Sequence, residues 1–296
     1  MASHFKTKGY TVSCGDVLTF AHYFQIARVE ANRAPSFRRL RTALPLRSAD
    51  EVVHLLNTAW SDRGWLPNEY ARKRRFFTRA NAARIEGARS LIDDWASRAW
   101  LTTGECAVLK ASLINSMDKV ANTAGTYYAY LKAWYRKARL PFRFELLPPT
   151  SGNPDCRSFL CDALQLVSSG RFDILYLDPP YNERSYAHYY HLPESIALGL
   201  PRDARGKSGA PELTAPLSEF NRPRRAGKAL QQLLCAARFK LLAFHYSDGG
   251  LIDRRTVRRI LASYGSIEEF GLSSKGYTTG RTCRTVEHRL YLVRNA

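Results

Sequence analysis

The run Phe172-Asp173-Ile174-Leu175-Tyr176-Leu177 is almost continuously apolar and stops at Asp178-Pro179-Pro180-Tyr181. A strand with one wet face alternates, whereas a strand covered on both faces of a parallel sheet reads as an unbroken apolar run. Neither proline has an N–H to give to a ladder, so the strand must end at Asp178 and pass into a stiff turn. A strand of this kind needs helices around it.

From Pro141 onward the chain supplies them. Strands are predicted for Phe142 to Leu147, Ser158 to Cys161, Phe239 to Tyr246, Ile267 to Leu272 and His288 to Arg294, and helices for Ala163 to Ser168, Ala187 to Leu198, Arg224 to Arg238 and Asp253 to Ser263. The stretch from Leu200 to Glu219, rich in Pro, Gly and charge, is predicted to be a mobile loop. Near the start, His4 to Gly9 reads as the last turn of a helix closed by a left-handed glycine, and Tyr10 to Cys14 as a strand running to Asp16. Between Val17 and Leu140 the apolar spacing becomes three and four, as in Ile85 to Ile92 and Val108 to Val120. The prediction is an α/β core, residues 1–27 and 141–296, interrupted by a helical insertion over 28–140.

In doubly wound sheets, ligands gather beyond the carboxyl ends of strands, where Asp16, Asp162 and Asp178 are all expected. Each of them also has an ordinary alternative as a solvated loop residue or a helix N-cap. Lys plus Arg number 45 against 26 Asp plus Glu, a formal charge of +19, which suits a polyanionic partner. Short basic stretches fall in the predicted insertion: Arg38-Arg39-x-Arg41, then Arg72-Lys73-Arg74-Arg75 followed by Arg79, Arg84 and Arg89. They are candidates for phosphate contacts, against the alternative of a solvated helix face. Tyr127, Tyr128, Tyr130, Trp134 and Tyr135 have helical spacing, which favours core packing over base contacts.

The six cysteines form no Cys-x-x-Cys pair, so neither a zinc ribbon nor a disulfide framework is expected. Met1 to Cys14 has no apolar signal region, and no stretch approaches eighteen apolar residues, so a cytoplasmic protein that does not span a membrane is expected.

The tetrapeptide after the clearest strand suits one kind of chemistry. An exocyclic amine on a base is a poor nucleophile because its lone pair is delocalised into the ring. Two acceptors for its hydrogens free that pair, and Asp178 offers a carboxylate oxygen while Pro179 offers a carbonyl, both held by the prolines. Tyr181 offers a flat face for a base turned out of a duplex. The run Tyr176 to Tyr186, followed by His188-Tyr189-Tyr190-His191, resembles the catalytic segment of Dam-type adenine-specific DNA methyltransferases. Arg75 to Thr78, Asn81 to Ile85, Asn122 to Tyr127 and Phe244 to Ile252 are similar to other segments of that family, in family order.

The resemblance implies a Rossmann-like sheet and methyl transfer from S-adenosylmethionine to the N6 of an adenine flipped from double-stranded DNA, without a metal. It implies catalytic roles for Asp178, Pro179, Pro180 and Tyr181. It places Asp16 at the cofactor's ribose hydroxyls and Cys161 and Asp162 near its adenine. The helical insertion becomes a target-recognition region, with Arg72, Lys73, Arg74, Arg75 and Arg79 on DNA, and a cognate restriction endonuclease becomes a candidate partner.

One family element is not found. Between Met1 and Gly64 the only glycines are Gly9 and Gly15, so there is no Phe-x-Gly-x-Gly cofactor loop. The expectation is an N-terminally truncated sheet without its first strand, with weak cofactor binding and little activity in the chain as written. Two rival readings stay open: an enzyme acting on cytosine's amine or on an RNA base, and a catalytically silent DNA-binding remnant.

Overall fold

Tracing the backbone hydrogen bonds through the computed structural model turns these periodicities into elements; residues 1–199, 203–211, 217–275 and 285–295 are described. In chain order they are α1 (Ala2–Thr7), β1 (Ser13–Asp16), α2 (Thr19–Gln25), α3 (Arg38–Ala43), α4 (Ala49–Thr58), α5 (Arg79–Ser97), α6 (Thr103–Asp118), β2 (Arg157–Leu160), α7 (Ala163–Ser168), β3 (Arg171–Leu177), α8 (Tyr186–Tyr189), α9 (His191–Leu198), α10 (Ala226–Ala236), β4 (Arg238–Ser247), α11 (Arg254–Ala262), β5 (Gly265–Lys275) and β6 (Thr285–Asn295). The fold is mixed α/β. The chain divides into two compact units, Met1–Cys161 with Ala187–Ala215, and Asp162–Tyr186 with Pro216–Ala296. Compactness therefore groups residues differently from the change in periodicity that marked out 28–140.

The first unit is chiefly helical. Its two longest helices start at capping side chains: Thr78 accepts from Asn81 N at the head of α5, and Thr102 and Glu105 form a reciprocal box at the head of α6. Their inner faces bury Ile85, Ile92, Trp95, Leu109, Leu113 and Met117 around Tyr70, Phe76 and Phe77. Gly9 follows α1 at φ 88°, the left-handed conformation expected of it. The unit's only strand pairing among the described residues is the parallel pair β1–β2, in register from Ser13↔Arg157 to Asp16↔Leu160.

Two expectations for this unit fail, each for a physical reason. Residues 141–150 form no strand, although Phe142 and Phe144 are buried. The segment is extended, but its N–H groups donate to side chains projecting from helices. Phe142 donates to Asn81 Oδ1 and Phe144 to Asn57 Oδ1, both at 2.9 Å. Glu145 donates to Ser116 Oγ and Leu147 to Ser112 Oγ, again at 2.9 Å. The second failure is the helical reading of residues 121–135, which are irregular, with one bridge from Thr123 to Tyr130. Asn122 takes over the role of a ladder there: its Nδ2 donates to Arg75 O and Leu131 O, and its Oδ1 accepts from Tyr135 N. Tyr127 is buried, while Tyr128 and Tyr135 are exposed.

The second unit carries a four-stranded sheet in the order β3-β4-β6-β5. β3 and β4 run parallel, from Arg171↔Arg238 to Leu177↔Phe244, and β6 runs antiparallel to both β4 and β5. One face is core: Leu175, Leu177, Leu242, Phe244 and Tyr291 pack with Leu230 and Leu234 of α10 and Val257 and Leu261 of α11. At about 25 cal/mol per Å² of apolar surface, burying each such side chain is worth roughly 2 kcal/mol, enough to fix the register. Ile174 and Tyr176, on the other face of β3, are half-buried. Among the described residues, the strand predicted to be covered on both faces is an edge strand of this sheet, with Leu175 and Leu177 buried on one face and Asp173 on that same face exposed.

Among the described residues no helix is long and apolar enough to cross a membrane. The loop read from Leu200 to Glu219 lies partly outside the described residues.

Candidate active site

The carboxyl end of β3 is where the sequence placed the chemistry. The ladder stops at Leu177, and Asp178 follows with its side chain 52% exposed. Asp178 Oδ1 lies 2.9 Å from His245 Nδ1 of β4. A carboxylate has no proton to give, so the imidazole N–H donates.

Tyr181 is anchored by its backbone and by its ring. Its carbonyl accepts from Leu251 N at 3.0 Å, and its ring packs against the core and meets the His288 ring edge-on, with centroids 6.1 Å apart. The segment after it is pinned by Asn221, only 4% exposed, whose Nδ2 donates to Asn182 O at 2.7 Å and Arg184 O at 3.0 Å. Asn182 Oδ1 accepts from Arg184 N, closing a local turn. The loop that holds Tyr181 is itself fixed at Gly250. A Cβ there would lie 2.4 Å from the Tyr246 ring, so only glycine lets that ring close over the loop. Tyr246 Oη then accepts from Ile252 N. On the neighbouring strand Arg289 holds Asp248 through both carboxylate oxygens.

Of the predicted cofactor residues, Asp16 and Cys161 come together in the first unit, where Cys161 N donates to Asp16 O at 3.0 Å and extends the β1–β2 ladder. Asp16 Oδ1 accepts from Leu18 N at 2.8 Å, and burial pushes its carboxyl up, with Glu194 adding to the effect. Glu194 also caps α2, accepting from Thr19 N and Phe20 N. Asp162 and Asp178 belong to the second unit. Asp162 heads α7, accepting from Leu164 N at 2.8 Å while Gln165 Oε1 accepts from its own N–H. The ordinary reading of Asp162 as an N-cap is the one its geometry displays.

The basic run does not act as a unit. Arg74 is 8% exposed and donates to Glu69 O, Glu69 Oε2, Ala204 O and Gly206 O, so its charge is spent inside the first unit. Lys73 pairs with Glu69, Arg72 donates to Asn68 Oδ1, and Arg75 donates to Lys132 O. Those three and Arg79 are exposed. Arg84 and Arg89 also turn to structural partners, Asn57 O for the first, Glu86 and Asp93 for the second.

The residues that sequence reasoning passed over are His245, His288 and Asn221. A signal existed for the first. In Phe244-His245-Tyr246 alternation sets the histidine on the face opposite two core aromatics, at the end of a strand beside the one that carries Asp178. Among the described residues no group of three or more His, Cys, Asp or Glu side chains is placed to hold a metal ion.

The chain is 30% identical over 277 residues to the type II methyltransferase M.FokI of Planomicrobium okeanokoites, covering 91% of this chain and 42% of that one. It is 28% identical over 273 residues to the modification methylase StsI of Streptococcus sanguinis, covering 89% and 40% respectively. It is 32% identical over 201 residues to the type II methyltransferase M.NlaIII of Neisseria lactamica, covering 66% and 58%. The chain thus spans about two fifths of the length of the first two relatives. No solved structure matches it. The family model of the D12 class N6 adenine-specific DNA methyltransferases matches residues 2–238, and the chain belongs to that family.

Proposed function

We propose that this chain works in methyl transfer from S-adenosylmethionine to the exocyclic amine of an adenine in double-stranded DNA. The observation that carries the reading is the turn after β3, which presents a half-exposed carboxylate and an anchored tyrosine ring on a backbone held by Asn221 and Leu251. Asp178 Oδ2 and Pro179 O would accept the two amine hydrogens of an extruded base, and Tyr181 would stack on its ring. Because the prolines and anchors hold the acceptors beforehand, little reorganisation is left for the reaction itself. Asp rather than Asn or Ser at position 178 favours adenine over cytosine's amine.

Asp16 suits the cofactor. It is a carboxylate at the carboxyl end of a parallel strand, where ribose hydroxyls are bound in Rossmann-like folds, the sheet class we infer here. Cys161 and Asp162 would approach the adenine of S-adenosylmethionine, which when bound supplies an electrophilic methyl on a sulfonium. Exposed Arg72, Lys73, Arg75 and Arg79 would meet phosphates flanking the target, in a cell's cytoplasm where such DNA lies. A cognate restriction endonuclease would be a partner, a reading supported by relatives named as a type II methyltransferase and a modification methylase.

The test is to incubate the full chain with labelled cofactor and duplex DNA and identify the modified base. Label on adenine N6, lost in Asp178→Ala with duplex binding retained, is the expected result. Label on cytosine, or duplex binding with no transfer at all, would favour the rival enzyme or the silent remnant.

A further inference from the structure

Two histidines flank the Asp178 turn without a part in the chemistry above. His245 sits on β4, and its ring stacks on that of His288 from β6, with centroids 5.1 Å apart and planes 12° from parallel. One end of this stack donates to Asp178 Oδ1, and the other meets Tyr181 edge-on. The acceptor and the aromatic plate of a single turn are therefore both tied to the same pair of rings. His288 Nδ1 is buried and has no hydrogen-bond partner among the described residues. A buried ring nitrogen left unsatisfied costs stability, and a plain apolar residue would avoid that cost if the ring served only to fill space.

We propose that His245 is a positioning residue for methyl transfer. Its Nδ1–H holds the Asp178 carboxylate by one oxygen and turns the other toward the substrate amine, while His288 backs the imidazole and aligns Tyr181. The inference rests on the adenine-methylating reading. The donor type fits the task. An arginine would grip both oxygens with a full charge and compete with the amine, whereas one imidazole N–H engages a single oxygen and leaves the second as a strong acceptor. Among the described residues the titratable groups beside His245 are these. From β3 come Asp178 and, on the same face, the Tyr176 phenol, pushed up by burial and by Asp178. From β6 comes His288, with Tyr181 next to it.

Two variants of the full chain separate positioning from packing. His245→Leu keeps bulk but has no donor, so its kcat should fall by about tenfold or more while KM for duplex and cofactor stays within about twofold. His245→Asn restores an N–H donor on a shorter, neutral side chain. It should recover most of kcat with KM unchanged. An unchanged kcat in His245→Leu, or a kcat in His245→Asn as low as that of His245→Leu, overturns the proposal. A third measurement stands apart from turnover. By NMR, Asp178→Ala should shift the His245 Nδ1 resonance by removing the oxygen to which it donates. If the wild type transfers no methyl group, the functional reading fails by itself, and an unmoved resonance would then show that the contact is absent as well.

Discussion

The two units put their inward polar groups to different uses. In the first, Arg74, Asn81, Asn122 and Glu86 satisfy backbone groups: Asn81 Oδ1 takes the N–H of Phe142, Glu86 Oε2 takes that of Leu66, and Arg74 closes over the carbonyls of Ala204 and Gly206. In the second, the row Asp178, His245, His288 and Tyr181 satisfies almost no backbone beyond its own anchors. Polar groups that stand in for a missing ladder hold a fold together. Polar groups that face one another at the end of a strand are held for something else.

The strongest way to break this contrast is at Asp178. Asp178→Ala should lower methyl transfer by about a thousandfold, read with labelled cofactor, while the melting temperature barely changes, because the exposed carboxylate supports no core. A large loss of stability would make Asp178 structural.

Arg74→Met tests the other side. It leaves three carbonyl acceptors and Glu69 short of a donor and should cost about 3 kcal/mol in denaturant unfolding, without changing the salt dependence of duplex binding. Arg79→Ala should do the reverse, leaving stability alone and reducing the slope of log K against log salt by about 1. Equal slopes for both variants would remove the distinction between inward and outward basic residues.

A pH titration sharpens the contrast within the first unit. His191 is 2% exposed, and burial drops its imidazole to about 4. The unfolded chain then binds a proton more readily than the folded one between the ordinary value near 6.5 and about 4. Stability should be complete above that window and fall as pH drops through it, by roughly 3 kcal/mol, then level off. His191→Phe should flatten this part of the stability–pH curve.

The smallest effect belongs to Asp162. Asp162→Ala removes the α7 cap and should cost about 1 kcal/mol. A rise in cofactor Kd well beyond what that stability loss explains would give Asp162 a binding role in addition to capping.

Legibility followed the range of the forces involved. The helix at Ala163–Ser168 was predicted to the residue because its cap, its box partner Gln165 and its apolar spacing are all local. The strand ending at Asp178 was equally plain, since two prolines must stop a ladder. Phe142 to Leu147 was read correctly as extended and wrongly as a strand. Alternation reports that a backbone is extended and does not report whether its N–H groups meet another strand or the side chains of Asn57, Asn81, Ser112 and Ser116. The tyrosines from Tyr127 onward had helical spacing by coincidence, and the partners of Asn122 decided their path.

By itself, then, the order of residues determined the local outcomes: where helices begin, where β3 stops, and that a rigid Asp-Pro-Pro-Tyr turn follows it. Only the tertiary structure decided which polar side chains are consumed in holding backbone and which remain to act. The reason is that Arg74 and Arg79, or Asp162 and Asp178, carry the same chemical groups. Their roles differ through partners tens of residues away, at Ala204 for Arg74 and at His245 for Asp178.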